Sequence, residues 1–318
     1  MAFHFTTGNS TRSYAVAYTV LVGIILLAVI PFALLSLSKN KSRRDPARRF
    51  VPWLKISFWL FCLTLSLLLA QFIITTCATH NVDIGSDTLR AGYHLGYLAE
   101  LFRALSAAAI MVFLFVLGAG ITYALHGAPG SFDRMMRYAA YFLGFVIAAL
   151  AITYYGLLVD FHVNFTNLTG TVNNGRGPSR IETINDLIGA TSIILFVASL
   201  AIAGLAISCA ARSRTSPLRS TSILYLVAGL LNLLSSSWAF AYAIEWLLET
   251  QMWPQEPYVV VLTIILEWWS RGLLLIAAFF IAAKGAHSGG VWSGSAKGGS
   301  SMHFSPNRAS YNSGAAFV

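Results

Sequence analysis

Charge is scarce in this 318-residue chain, in which Lys, Arg, Asp and Glu together make up only 10% of the residues. Soluble domains carry about 25% charged residues, and the few charges here cannot cover the surface of a soluble protein of this length. Apolar and aromatic residues make up 57% of the chain. They fall in runs of about 20 residues or more, the length that crosses the hydrocarbon core of a bilayer. The composition therefore excludes a soluble globular protein and predicts a polytopic membrane protein.

Cysteine is equally scarce. The three cysteines are Cys62, Cys77 and Cys209, of which Cys62 lies inside an apolar run and Cys209 at the end of another. No two of them fall in separate outer loops of the predicted bundle, which excludes a disulfide framework, and no CxxC metal pattern occurs. We therefore interpret the cysteines as helix-packing residues.

The sequence also lacks the short motifs of many catalytic and cofactor-binding sites. No HExxH zinc motif, Gly-rich phosphate loop, GxSxG elbow or Asp-rich diphosphate-binding motif occurs. His80, His94 and His162 lie near aspartates in predicted outer segments, but no two of these histidines have i,i+4 spacing. We interpret this region as a solvated entrance rather than a zinc site, and we expect no metal and no cofactor.

Seven apolar runs are long enough to form transmembrane helices. They cover Tyr14 to Leu37, Leu54 to Cys77, His94 to Ala124, Ala139 to Val159, Ile184 to Ala211, Ser222 to Leu248 and Tyr258 to Ala283. The first run lacks the basic region and cleavage site of a signal peptide, so we count it as a span. The sequence thus predicts an all-α fold with an outer segment over 1–13, a seven-helix transmembrane domain over 14–284, and a Gly- and Ser-rich tail over 285–318 that we expect to be disordered.

Basic residues are divided unequally between the two sides of the predicted bundle. Of the 21 Lys and Arg residues, 15 lie in the segments 38–55, 125–137, 212–221 and 284–318, and 4 lie in the alternate set of segments. By the positive-inside rule the first set is cytoplasmic, so we expect the amino terminus outside or in a lumen and the carboxyl terminus in the cytoplasm. The net charge of +9 then reports orientation rather than binding to nucleic acid.

Three of the four glycosylation sequons in the sequence agree with this orientation, and the fourth, which begins at Asn40, lies in a segment predicted to be cytoplasmic. The three begin at Asn9, Asn164 and Asn167, and all fall in segments predicted to be outside. The sequence therefore predicts a multi-pass glycoprotein of the endoplasmic reticulum or the plasma membrane.

Apart from Lys55 and Asp186 at the ends of two spans, five strongly ionisable residues lie inside the predicted spans, namely Glu100, Arg103, Glu245, Glu267 and Arg271. Charge is costly in lipid, so these side chains should face the bundle interior and find partners or water. The two pairs at i,i+3 and i,i+4 spacing can each neutralise themselves on one helix face. The same four residues can instead pair across the third and seventh helices. On a purely structural interpretation, the pairs serve only to lock two helices together.

Three carboxyls against two guanidinium groups leave one carboxyl without a cation. A desolvated carboxyl that has no cation stays protonated near neutral pH, and Glu245 and Glu267 are the candidates for such an acid. Glu245 can equally be interpreted as an interfacial residue in contact with water.

Aromatic side chains are dense around these charges, in particular Trp238, Tyr242, Trp268 and Trp269. Aromatic residues near helix ends usually form an interfacial belt, but Trp268 and Trp269 lie too deep in the predicted span for that. An interior pocket with aromatic faces and one or two carboxyls suits an apolar ligand or a reaction that passes through cations.

The predicted topology is similar to that of G-protein-coupled receptors over the whole chain, but the residues depart from that family. At the inner end of the third helix, Thr122-Tyr123-Ala124-Leu125-His126 stands where the family has Asp-Arg-Tyr, and the seventh helix lacks the Asn-Pro-x-x-Tyr element. A receptor outside the main class stays as an alternative.

The size, the seven aromatic-rich helices and the embedded acids at Glu245 and in Glu267-Trp268-Trp269 resemble the integral membrane terpene cyclases of fungal terpenoid and meroterpenoid pathways. The resemblance implies an isomerase- or lyase-type enzyme with Glu267 or Glu245 as general acid. That acid would protonate a prenyl olefin or epoxide, and rings would close through carbocations. The implied substrate-binding residues are Arg271, Arg103, Glu100, Trp268, Trp269, Trp238 and Tyr242.

The alternative function is a seven-transmembrane receptor or small-molecule transporter that binds an apolar ligand in the outer half of the bundle. In either case the expected partners are membrane lipid and an apolar small molecule.

The topology can be tested by replacing Asn9, Asn164 and Asn167 with Gln, singly and together. Each sequon that carries a glycan should lose its endoglycosidase-sensitive mass shift when its Asn is replaced. Modification at none of the three, together with cytoplasmic accessibility of the amino terminus, would invert the predicted topology.

Overall fold

A computed structural model describes residues 9–39, 46–79, 86–126, 131–165, 177–248 and 257–284 of the chain. Regular structure within these ranges is entirely helical. The α-helices are α1 (Asn9–Lys39), α2 (Val51–Thr79), α3 (Ser86–His126), α4 (Ser131–Phe165), α5 (Gly177–Arg212), α6 (Arg219–Tyr242), α7 (Pro257–Thr263) and α8 (Ser270–Lys284). The remaining helical elements are a 3₁₀ turn before α2 (Pro46–Arg48), a π-helical turn that extends α6 (Ala243–Leu248) and a π-helical turn that joins α7 to α8 (Ile264–Trp269).

Seven helical stretches of the described chain are long and apolar enough to cross a membrane. They are Tyr14–Ser38, Val51–Cys77, Asp87–His126, Asp133–Asn164, Ser179–Arg212, Arg219–Glu245 and Tyr258–Ala283. The prediction of an all-helical chain with seven candidate spans is therefore confirmed. The seventh span consists of α7, the second π-helical turn and α8. The tail over 285–318 lies outside the described residues, so its disorder stays a prediction.

Several helices begin before the apolar runs from which they were predicted. Helix α3 begins at Ser86 rather than His94, and α1 begins at Asn9, inside the predicted outer segment 1–13. An apolar run marks the part of a helix that suits lipid. The helix itself continues into polar flanking residues because its backbone groups stay hydrogen-bonded there.

Helix α3 lies at the centre of the bundle. Its most apolar stretch is 89% buried, against 17% for α4, and it packs against α2, α4 and α5. Small residues such as Ala107, Ala108 and Ala109 let neighbouring helices approach closely. The buried hydroxyl of Tyr225 donates a hydrogen bond to the backbone oxygen of Leu114 at 3.0 Å, which ties α6 to α3.

Helix α4 presents large apolar side chains on the outside of the bundle. Met135, Tyr138, Phe142, Phe145 and Ile152 are all exposed along its length. Soluble monomers rarely expose an apolar surface of this extent. Together with the seven candidate spans, the exposed face fits contact with lipid chains.

The amino ends of α1 and α3 lie at one end of the bundle, which we call the outer end after the predicted orientation. The 3₁₀ turn Pro46–Arg48 lies at the opposite, inner end. Buried Arg48 donates from Nη2 to the backbone oxygen of Ala282 in α8 at 3.0 Å. The backbone oxygen of Ala47 comes so close to Gly120 of α3 that a Cβ at that position would collide with it. The turn is thus held between α3 and α8, and the position of Gly120 leaves no room for a side chain.

We predict that Gly120→Ala destabilises the protein, because the new Cβ would collide with the backbone oxygen of Ala47. Overpacking of this kind costs about 1–3 kcal/mol. Gly204→Ala in α5 is the matched control, since nothing lies within 4 Å of a Cβ at that position. Thermal unfolding in detergent should show a lower Tm for Gly120→Ala only. Equal Tm values for the two variants would contradict the close approach of the turn to α3.

Candidate functional site

Four charged side chains form a connected group inside the bundle, which we call the charge network. Arg103 of α3 donates from Nε to Glu100 Oε2 at 2.7 Å and from Nη1 to Glu267 Oε1 at 3.0 Å. Arg271 Nη1 lies 3.0 Å from the same oxygen of Glu267. Arg271 Nε donates to Ser235 Oγ of α6 at 3.0 Å. The charge network therefore alternates carboxylate and guanidinium groups and joins α3, α6 and the seventh span.

The charge network is largely removed from solvent. The side chains of Glu267 and Arg271 are 3% and 5% exposed, and those of Glu100 and Arg103 are 15% and 18% exposed. The contact of Arg271 Nη1 with Glu267 is an ion pair that lacks the alignment of a hydrogen bond. Two carboxylates and two guanidinium groups balance, so the network carries no net charge. This balance offsets part of the cost of burying ions.

Both pairing schemes that the sequence left open are present. Glu100 with Arg103 and Glu267 with Arg271 are pairs within one span, whereas Arg103 with Glu267 joins the third span to the seventh. The hydroxyl of Tyr154 in α4 donates to the backbone oxygen of Glu100 at 2.9 Å, which holds α4 against the same place.

The π-helical turn Ile264–Trp269 positions the acidic residue of the seventh span. Ile264, Glu267 and Trp268 in this turn are all buried. The guanidinium carbon of Arg271, in the first turn of α8, lies 5.8 Å from the centroid of the Trp268 ring, within the range of a cation–π contact. Single π-helical turns occur frequently at functional sites.

Glu245 lies outside the charge network. Its side chain is exposed, although that of Tyr242 three residues earlier is buried. Residues three apart share a face of an α-helix, but the π-helical turn Ala243–Leu248 holds more residues per turn, so Glu245 is rotated away from that face. The placement fits the interpretation of Glu245 as a residue in contact with water.

An acid that stays protonated near neutral pH must be desolvated and have no cation beside it. Glu267 is desolvated but contacts two guanidinium groups, and Glu245 is exposed. Neither carboxyl meets both conditions, because the four charges that do lie inside the bundle balance one another. A catalytic role for either residue stays a prediction.

A cavity adjoins the charge network near the outer end of the bundle. The void measures about 650 Å³ with its open mouth included, of which the centre of a water molecule can reach about 50 Å³. Glu100, Arg103 and Glu267 form a charged wall. The other lining residues are Leu68, Phe72, Ile188, Ser192, Ala239, Tyr242, Leu247, Val260, Thr263, Ile264 and Trp268. The cavity therefore has one polar wall and otherwise mainly apolar walls, as small-molecule sites commonly do.

Only some of the predicted aromatic residues reach this cavity. Tyr242 and Trp268 line it. Trp238 instead donates from Nε1 to Thr263 Oγ1 at 3.0 Å and so joins α6 to α7. Trp269 packs against the hydrophobic core and does not line the cavity.

Most of the apolar residues that line this cavity were not predicted from the sequence. Leu68 and Phe72 come from the second span and Ile188 from the fifth, and neither span contributes a charged residue to the cavity lining. They are ordinary residues of apolar helices, and nothing in their spacing marks them as facing a cavity. Ser235, the hydrogen-bond partner of Arg271, was missed for the same reason.

Two of the histidines considered for zinc do lie together. The ring centroids of His94 and His162 are 5.0 Å apart, and the hydroxyl of Tyr97 lies 3.3 Å from His162 Nδ1. Within the described residues, no three His, Cys, Asp or Glu side chains are close enough to hold a metal ion. His80 lies outside the described residues. In the described part of the chain, this outer region therefore brings together the imidazoles of His94 and His162 and the phenol of Tyr97.

The glycosylation predictions remain untested. The side chain of Asn164 is exposed, and its Nδ2 donates to Asp160 Oδ1 at 2.7 Å. Asp160 also pairs with Arg180 at 3.1 Å. Asn167 and the side chain of Asn9 lie outside the part of the chain that is described.

In comparisons with known proteins, no family model, no curated protein and no solved structure matches the chain. A function must therefore be argued from the cavity and the charge network.

We predict that Glu267→Gln strongly destabilises the protein, because it leaves Arg271 buried without a carboxylate and removes one partner of Arg103. Breaking a buried ion pair by removing one partner costs about 3–5 kcal/mol. Glu245→Gln is the matched control, since it makes the same chemical change at an exposed position. Thermal unfolding in detergent should show a large fall in Tm for Glu267→Gln and almost none for Glu245→Gln. A similar fall for both variants would argue against the charge network as the source of the effect.

Proposed function

We propose that the chain is a membrane protein that binds an amphipathic small molecule in the outer cavity. The observation that carries the proposal is the composition of the cavity walls, in which Glu100, Arg103 and Glu267 face mainly apolar residues across one void. Such a site offers hydrogen bonds to a polar head and apolar contact to the remainder of the ligand.

The charge balance of the polar wall indicates the kind of head group. The carboxylates and guanidinium groups of the charge network neutralise each other, so an ionic ligand would bring an uncompensated charge into a desolvated site. That is costly, and it favours a neutral or zwitterionic head. Arg103 has five N–H donors, and its bonds to Glu100 and Glu267 leave some of them for a ligand.

The apolar walls suit a hydrocarbon or ring system. Phe72, Tyr242 and Trp268 present aromatic faces, and Ile188 and Val260 add branched aliphatic side chains. Burial of apolar surface provides about 25 cal/mol for each Å² removed from water, so this part of the ligand would supply most of the affinity.

Below the cavity the described part of the bundle is packed with buried aromatic side chains. Phe61 contacts Trp268 with ring centroids 6.1 Å apart, and Phe113 packs against Phe50 at 6.1 Å nearer the inner end. All four of these side chains are buried. This packing supports a receptor-like binding role more directly than passage through the bundle.

A membrane-bound terpene cyclase is the second candidate function. It is favoured by Trp268 and Tyr242, which line the same cavity as Glu267 and could shield a carbocation with their aromatic faces. The reaction would need Glu267 to donate a proton to the substrate, but its Oε1 already accepts a hydrogen bond from Arg103 and lies 3.0 Å from Arg271 Nη1. For this reason we place binding ahead of catalysis. The three sequons support the endoplasmic reticulum or the plasma membrane as the site of either function.

Binding is tested by filling the cavity. Ala239 of α6 lines the cavity and is buried, whereas Ala241 on the same helix is exposed. Ala239→Phe should therefore block the site, and Ala241→Phe is the matched control. Wild-type protein and both variants, purified in detergent, are incubated with a lipid and metabolite extract, and the small molecules that stay bound are identified by mass spectrometry.

We expect the wild type and Ala241→Phe to retain the same uncharged or zwitterionic amphipathic species, and Ala239→Phe to lose it while its Tm stays close to that of the control. Identical retained species in all three proteins would refute the cavity as a binding site. The cyclase is tested by giving membranes a prenylated or epoxy-prenylated aromatic. Cyclised product formed by membranes that carry the wild type, but not by membranes that lack the protein, would replace the binding proposal with catalysis.

A further inference from the structure

A second cavity lies near the inner end of the bundle, between α3, α4 and the turn that precedes α2. The void measures about 450 Å³ with its mouth included. Arg49, Tyr123, Asp133 and Arg137 supply its polar lining, and Val116, Ala119 and Gly120 supply the apolar remainder. None of these residues belongs to the charge network or the outer cavity.

The fold holds the two arginines on opposite elements. Arg49 directly follows the 3₁₀ turn that Arg48 anchors to α8 and that Ala47 presses against Gly120. Arg137 lies on α4, near its amino end. In the described part of the chain, no hydrogen bond or ion pair joins the Arg49 or Arg137 guanidinium to a neighbour. Two guanidinium groups against the carboxyl of Asp133 leave the cavity with an excess of positive charge.

The surface beside the cavity is apolar. Tyr141 and Phe145 follow Arg137 at intervals of four residues on α4, so the three side chains share one helix face. Tyr141 is 37% exposed and Phe145 is 72% exposed. The ring of Tyr141 stacks on that of Trp53 in α2 with centroids 5.7 Å apart. A positive pocket is thus continuous with an exposed aromatic and apolar strip that runs toward the middle of the bundle.

We propose that this inner cavity binds the head group of an anionic phospholipid, whose phosphate lies between Arg49 and Arg137 and whose acyl chain follows Tyr141 and Phe145. Basic pockets between helices at the cytoplasmic side of membrane proteins bind anionic head groups, and the charge count predicts this end to be cytoplasmic. The apolar strip distinguishes a lipid from free phosphate, because a free ion would make no use of it.

The test measures lipid retention by native mass spectrometry. Purified protein is mixed with dioleoylphosphatidylserine or, for comparison, dioleoylphosphatidylcholine. The double variant Arg49→Gln/Arg137→Gln removes both guanidinium groups. Arg134→Gln/Arg212→Gln is the matched control, because it removes the same charge from two exposed positions at the inner end that do not line the cavity.

We expect the wild type to retain phosphatidylserine in preference to phosphatidylcholine. The affinity should fall roughly fivefold for each cavity arginine removed, and the control should stay close to the wild type. Arg49→Lys/Arg137→Lys should restore most of the preference, which separates lost charge from lost fold. Equal losses in the cavity variant and the control would overturn the proposal in favour of general surface attraction. Displacement of the lipid by an excess of inorganic phosphate would overturn it in favour of a free-anion site.

Discussion

The buried ion pairs among Glu100, Arg103, Glu267 and Arg271 constrain the rest of the structure. Each of these charges is tolerable inside a helix bundle only while an opposite charge stays within about 3 Å. Arg103 on α3 must therefore meet Glu267 in the seventh span, and Ser235 must bring α6 to the other side of Arg271. The lateral order and axial register of three spans follow from this requirement, while apolar packing fills the space that remains.

The same pairs determine the chemistry of the outer cavity. The cavity wall is rich in hydrogen-bonding groups. Because Arg271 behind the wall balances the second carboxylate, the charge network as a whole has no net charge and no unpaired acid. A wall of this kind can orient the polar head of a ligand through hydrogen bonds. The aromatic residues that would suit cation chemistry, Trp268 and Tyr242, also suit an apolar ligand. The geometry therefore supports binding more strongly than proton transfer.

The sequence predicted those features that depend on composition along the chain. Run length identified the seven spans, and rarity of charge inside them identified all four members of the charge network. The sequence could not predict which way an apolar side chain faces, because helices in lipid are apolar on most sides. Phe72 and Ile188 were therefore missed as cavity residues. The sequence left Glu245 open between an interior acid and a residue in contact with water. Depth in the span does not decide between the two, because the π-helical turn that begins at Ala243 changes the direction in which the side chain points.

A density map of the protein extracted from its native membrane would show the charge network and the outer cavity together. We expect Arg103 to bridge Glu100 and Glu267 at hydrogen-bond distance. We also expect density for one amphipathic molecule between Arg103 and Trp268, with its polar end toward the guanidinium group. A Glu267 carboxyl turned away from both arginines, or a cavity filled by protein side chains, would show that a self-neutralised ion network does not form the polar wall of a ligand site.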